Sequence, residues 1–179
     1  MGMDVTQLDD IVYVICLRSP VIKMFTADTL SPLSEGIHVE EQEPNHLVNI
    51  VASRRDRQLY VADNRGRCIW RVSVSDGRHS NVKWLTENVH VSGMSLTSRH
   101  LLVMSWRRPA TYYLRQHSTT DGQLLREVTL PGYAKYVGDA VETSRGTFVF
   151  GHVGTSQNER QKAVSELFIL CHCHFIINH

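Results

Sequence analysis

The chain has 179 residues, 42% hydrophobic and 21% charged, with 19 Lys and Arg against 18 Asp and Glu. That length suits one domain with a real core, and the composition excludes disordered, collagen-like and membrane-embedded chains. A net charge of +1 excludes a global field that would draw the chain to nucleic acid or an anionic membrane, so any such contact has to come from a local patch.

Residues 1–10 carry Asp4, Asp9 and Asp10 with no basic residue, unlike a secretory signal, and residues 1–9 read as a polar segment ahead of the fold. Apolar runs such as residues 11–17 and 168–170 are far shorter than the ~18 residues that span a bilayer. The expectation is a cytoplasmic protein with no membrane contact. Cys16, Cys68, Cys171 and Cys173 form no dense framework, and free thiols are expected.

From residue 10 onward one strand pattern recurs. Val12-Tyr13-Val14, Leu59-Tyr60-Val61, Leu101-Leu102-Val103 and Phe148-Val149-Phe150 follow one another at steps of 47, 42 and 47 residues. Self-similarity at this period in all-β units points to a propeller. A second strand follows each of the first three anchors, at residues 21–25, 68–72 and 110–114. Asp76-Gly77 and Asp121-Gly122 then offer tight hairpin turns, because Gly accepts a positive φ. Strands are expected after those turns, at residues 81–85 and 123–130, and before the anchors, at residues 47–52, 91–96 and 136–142. Leu59, Val61, Ile69 and Val72 are expected to be buried. No stretch of ten residues shows convincing helical periodicity, although residues 161–170 are ambiguous.

The reading is therefore all-β, with propeller blades of four antiparallel strands. Its units span about residues 10–43, 44–88, 89–133 and 134–167, followed by a non-repeat tail at 168–179. Strand counts of three, four, four and three leave the first unit without its leading strand and the last without its closing one. A propeller closes with ~4 to 8 blades, so an open arc is expected, with exposed ends through which copies self-associate.

Leu59-Tyr60-Val61-Ala62-Asp63, followed by Ile69-Trp70-Arg71-Val72, resembles the NHL-type propeller repeat, whose strand rhythm WD40-like propellers share. Residues 101–106 and 146–150 are similar to weaker copies. Asn64 follows Asp63 directly, and Ile15, Met104 and Gly151 stand where Ala62 does, followed by Cys16, Ser105 and His152 instead of Asp. The resemblance implies blades of a six-bladed ring that acts as a platform for proteins or RNA.

Cys171-His172-Cys173-His174 offers four metal ligands, but on a strand the cysteines face one side and the histidines the other, so the four alone build no tetrahedral site. Gly93-Met94-Ser95-Leu96-Thr97 fails the nucleophile elbow at its last position, and the metalloprotease and phosphate-loop motifs are absent. A calcium-dependent lactonase or esterase would draw on Asp63, Asp139 and Glu142, which turn and cap roles explain without a metal. No catalytic residue, metal or cofactor is expected.

The candidate binding loops are basic. Arg54, Arg55 and Arg57 form one turn, and Asp63, Arg65 and Arg67 form another at the opposite end of the same strand. Trp106, Arg107 and Arg108 form a basic-aromatic cluster. The expected function is a non-enzymatic platform that binds a protein partner through these loops. RNA binding is the first alternative, and the channel-metal hydrolase is the second.

Overall fold

The computed structural model describes residues 3–16, 19–33, 35–39, 46–75, 78–85, 90–109, 111–132, 134–135, 137–144, 146–154 and 165–170. The first sheet holds β1 (Met3–Leu8), β2 (Ile11–Cys16), β3 (Val21–Thr26) and β4 (Ile37–His38). The second holds β5 (Leu47–Ser53), β6 (Gln58–Asp63), β7 (Cys68–Ser75) and β8 (Arg78–Leu85). The third holds β9 (His90–Leu96), β10 (His100–Arg107), β11 (Thr111–Ser118) and β12 (Leu124–Thr129). In the fourth, β13 (Ala134–Lys135) and β14 (Ala140–Glu142) share one edge of β15 (Phe148–Gly154), and β16 (Ser165–Leu170) takes the other edge. All pairings are antiparallel, and each of the first three sheets is a simple meander, the form of a propeller blade. Among the described residues no helix is long and apolar enough to cross a membrane.

Two expectations are corrected. Residues 1–9 are not a segment outside the fold: β1 pairs with β2 from Met3 opposite Cys16 to Leu8 opposite Ile11, so the first blade has its leading strand. Its polar residues conceal the strand because one of them ties two blades together. Asp4 Oδ2 accepts the Ile50 N–H of β5 at 2.8 Å. At the other end, residues 168–170 belong to β16, which pairs with β15, so the fourth blade runs past residue 167. Asp76, Gly77 and Cys171 to His174 lie outside the described residues. The second Asp-Gly turn is as expected, with Gly122 at φ +80°.

The core lies between the blades rather than under a sheet. Side chains alternate across each strand, so a blade can present apolar residues on both faces, and at the three seams these are covered by the neighbouring blade. Tyr13, Ile15 and Ile22 of blade one meet Ile50, Leu59 and Val61 of blade two. Tyr60, Ala62 and Ile69 on the other side of blade two meet Met94, Leu101 and Val103 of blade three. Leu102, Met104 and Leu114 of blade three meet Ala140, Phe148 and Phe150 of blade four. Leu59, Val61, Ile69 and Val72 are all buried, as expected. Strand contacts thus run from blade one to two, two to three and three to four.

Polar ties pin the inner edges of these seams. Asp139 Oδ1 accepts the Met94 N–H at 2.9 Å, joining blades four and three. Asn64 bonds both backbone groups of Val91, donating to its oxygen at 2.9 Å and accepting from its nitrogen at 2.7 Å. Gly93 is required by the closeness of the third seam. A Cβ there would stand 2.5 Å from Asp139 Oδ1 and 2.8 to 2.9 Å from backbone atoms of Gly138 and Asp139. Gly93→Ala should therefore wedge the seam open and destabilise the fold by about 2 kcal/mol. With a urea slope of about 1–3 kcal/mol/M, the unfolding midpoint should drop by roughly 1 M. An unchanged midpoint would show that the seam is loose at this point.

Candidate functional site

The blade ends carry two separate basic regions. Arg54 to Arg57 form the turn from β5 to β6, and Asn64 to Arg67 form the turn from β6 to β7. They therefore leave opposite ends of β6, as the sequence predicts.

At the first end, Arg55 opens onto a groove of about 530 Å³ that crosses the seam between blades two and three. Its walls also hold Arg71 from β7, Arg99 and His100 from the β9–β10 corner, and the turn from Ser118 to Thr120. Among the described residues Asp56 is the only carboxylate lining it, against the three guanidinium groups of Arg55, Arg71 and Arg99. Leu125, about half exposed, adds an apolar edge.

The walls are held in place from below. Arg55 Nη1 donates across the seam to the Ser98 carbonyl at 3.4 Å. Thr119 donates to the Arg99 carbonyl from its backbone at 3.3 Å and from its hydroxyl at 3.0 Å. Tyr60, fully buried and opposite Arg71 on β7, donates its hydroxyl to the Thr119 carbonyl at 3.4 Å. Burial pushes the Tyr60 phenol up to about 12, the Asp56 carboxylate adds to that, and the Arg71 charge opposes it. The charges of the groove thus reach its floor. A second groove, also about 530 Å³, shares Arg99 and His100 and continues toward Glu142 and Thr143 of blade four.

The other predicted arginines of this turn do not join the groove. Arg57 Nη1 bonds Asp9 of blade one at 2.9 Å, and Arg54 is exposed on the turn itself.

At the opposite end, Asp63 is a turn cap. Its Oδ1 accepts the backbone N–H groups of His46, Arg65 and Gly66 at 2.9 to 3.0 Å, and the residue is only 1% exposed. Arg65 and Arg67 are exposed beside it. Trp106 stacks on His90 with ring centroids 4.5 Å apart, so one face of the indole is already covered. Arg107 lies over the Tyr113 ring at 5.5 Å, and Arg108 is exposed. The His90 imidazole is held below its ordinary pKa by burial first, then by the charges of Arg67, Arg108 and His46. The structure therefore brings the Arg67 turn and the Trp106–Arg108 cluster to one end, apart from Arg55.

Asp63, Asp139 and Glu142 are not brought together. Asp63 is spent on its turn, Asp139 on the Met94 N–H, and Glu142 lies in the second groove. Burial raises the Asp139 carboxyl above the ordinary range, the Met94 N–H opposes this, and the charge of Asp4 adds to it. Among the described residues no group of three or more His, Cys, Asp and Glu is placed to hold a metal ion.

Sequence reasoning missed Arg71 and Arg99, the two residues that make the groove. Each stands alone among uncharged or singly charged neighbours. The available signal was positional: Arg71 sits opposite Tyr60 on the face that blade three covers, where an apolar residue belongs.

No protein-family model matches the sequence, and no curated protein matches it either. Solved structures do. The chain is similar to the β-propeller domain of Cps50 (Swd1) from Myceliophthora thermophila, at 11% identity and a TM-score of 0.60, covering 85% of this chain and 50% of that one. It is similar to the β-propeller domain of the trilobed protease from Pyrococcus furiosus, which has an open velcro topology, at 9% identity and a TM-score of 0.54, covering 95% and 55%. It is also similar to hydrazine synthase from Kuenenia stuttgartiensis, at 10% identity and a TM-score of 0.60, covering 93% and 61%. The chain is thus an all-β array of propeller blades that spans half to three fifths of these three structures. Identities this low establish the fold alone, and the neighbours include both an enzyme and a propeller domain of a protease.

Proposed function

We propose that the chain is a non-enzymatic protein-interaction platform of NHL-like blades, and that the groove across blades two and three receives an acidic segment of a partner protein. The observation that carries this reading is the meeting of Arg55, Arg71 and Arg99 around one carboxylate, Asp56, in a groove whose walls are fixed by the cross-seam hydrogen bonds of Arg55 and Tyr60. Guanidinium groups match carboxylates with paired hydrogen bonds, and a wall held before binding loses little freedom when the partner arrives. Leu125 provides a contact for an apolar side chain within that acidic segment. The Asp63-capped turn after Val61-Ala62 supports the NHL-like reading of the blades.

RNA binding would draw on the other end, where Arg67, Arg108 and Trp106 gather. The His90 stack leaves less aromatic surface there for a base. The two readings separate by fluorescence anisotropy with a labelled Asp/Glu-rich decapeptide containing one Leu and with labelled oligouridine. The decapeptide should bind the wild-type chain. Arg71→Glu with Arg99→Glu should weaken it at least tenfold, while Arg65→Glu with Arg67→Glu leaves it unchanged. Binding of oligouridine alone, lost with Arg67→Glu and Arg108→Glu, would overturn the protein-platform reading.

A further inference from the structure

The turns β1–β2, β5–β6, β9–β10 and β14–β15 occupy equivalent places in the four blades, so they share one end of the molecule. Along that end the three seams differ in charge. At the seam of blades one and two, Arg57 is already engaged by Asp9 at 2.9 Å, and the pair neutralises itself. At the next seam lies the groove of Arg55, Arg71 and Arg99. At the third lies the second groove, of about 530 Å³. Among the described residues its only carboxylate is Glu142 and its only guanidinium is Arg99. Among the described residues Glu142 makes no ion pair.

Arg99 and His100 line both grooves, so the β9–β10 corner is a common wall and not a barrier between unrelated sites. That corner is fixed. Thr97 Oγ1 accepts the N–H of Arg99 at 3.3 Å and that of His100 at 2.9 Å. The Gln116 amide meets the His100 ring nitrogen at 2.9 Å. The second groove is also tied across its seam, because the Ser95 hydroxyl donates to the Ala140 carbonyl of blade four. Both halves are therefore set before a ligand arrives, which keeps the entropy cost of binding low.

A segment seated over Arg55, Arg71 and Arg99 thus has a neutralised ion pair beyond one end and Glu142 beyond the other. Further acidic residues running toward blade four would meet a like charge, which is disfavoured, whereas a cation there would be matched. We propose that the partner segment crosses Arg99 into the second groove and sets a lysine or arginine on Glu142, so that this face reads an acidic run joined to a basic residue. The proposal rests on the reading of the first groove as the seat of an acidic segment, and it makes Glu142 the residue that fixes the register of that segment.

Fluorescence anisotropy with the whole chain tests it. The labelled acidic decapeptide is given a Gly/Ser extension of about six residues, some ~20 Å when extended, at either end. In companion peptides a pair of lysines replaces two residues of the extension, after the acidic run in one and before it in the other. In at least one orientation the lysine peptide should bind wild type about two- to fivefold tighter than its neutral counterpart, the range of a solvent-accessible ion pair. Glu142→Gln, which keeps the size of the side chain, should abolish that ratio, and Glu142→Lys should reverse it. Both variants should keep the wild-type circular dichroism. No gain from lysine in either orientation would overturn the proposal while leaving the acidic segment in the first groove. So would a gain that survives Glu142→Gln, since net peptide charge would then explain it. If the neutral-extension peptides do not bind at all, the reading of the first groove falls and this inference falls with it.

Discussion

Replacing Asp63 by alanine is expected to lower the stability of the chain by about 3 kcal/mol, from the loss of three accepted hydrogen bonds at roughly 1 kcal/mol each when the donors are left partly buried. One carboxylate oxygen serves the N–H groups of His46, Arg65 and Gly66, and it holds the β6–β7 turn against the start of β5. Asp63→Asn should cost less, because its side-chain oxygen can keep that role. Its amide nitrogen, however, would sit where Oδ2 is buried without a partner among the described residues, so it should not be neutral. The check is urea unfolding followed by circular dichroism, with the order wild type, Asn, Ala. Equal midpoints for wild type and Ala would show that water replaces the carboxylate and that the turn is not a structural cap.

The second large effect lies in the seam between blades two and three. Arg115 on β11 is 2% exposed, and its Nη2 meets Glu127 Oε2 on β12 at 2.5 Å. The side chain lies beside His117, Cys68 and Val103, and over the Tyr113 ring. Removing one partner of a buried ion pair costs about 3–5 kcal/mol, because a charge is left in a poorly hydrated place. Glu127 is one-third exposed, so water compensates in part. Glu127→Ala should therefore fall at or just below the low end of that range, near 3 kcal/mol. Arg115→Met should cost distinctly less, since it removes the buried charge, fills similar space and leaves Glu127 free to hydrate. Thermal unfolding of the two variants gives the comparison. If Arg115→Met were the more damaging, the guanidinium would be contributing hydrogen bonds and packing beyond its ion pair.

The blade pattern was legible in the sequence because the buried seams demand it. Each of β2, β6, β10 and β15 must present apolar residues on both faces, so the four anchors read as continuous hydrophobic runs at a fixed period. The innermost strand of blade one was hidden for the converse reason. In β1 Asp4, Thr6 and Leu8 share the face toward blade two, where Asp4 meets a backbone N–H and only Leu8 is apolar, while Val5 on the opposite face is exposed. A charge at the part-buried tie and an exposed valine behind it mask the alternation that Leu8 keeps. The Asp-Gly turn at Gly122 was readable because its positive φ needs that residue type.

The groove was only partly legible. Arg55 announces itself within a run of arginines, yet of that run it is the one residue that the fold directs to the groove. Arg71 and Arg99 are 28 positions apart in sequence and come together only because β7 and the β9–β10 corner lie on facing blades. A pattern confined to one blade cannot show a site built across a seam.

The measurement that tests the account most directly is a backbone amide NMR titration of the chain with the acidic decapeptide. The predicted result is a set of shifts at Arg55 to Gln58, Arg71, Arg99, His100 and Ser118 to Gln123, with Asn64 to Arg67 and Trp106 to Arg108 unmoved. Shifts concentrated at the second set, or a saturating response spread over neither, would contradict the placement of partner binding in the groove between blades two and three.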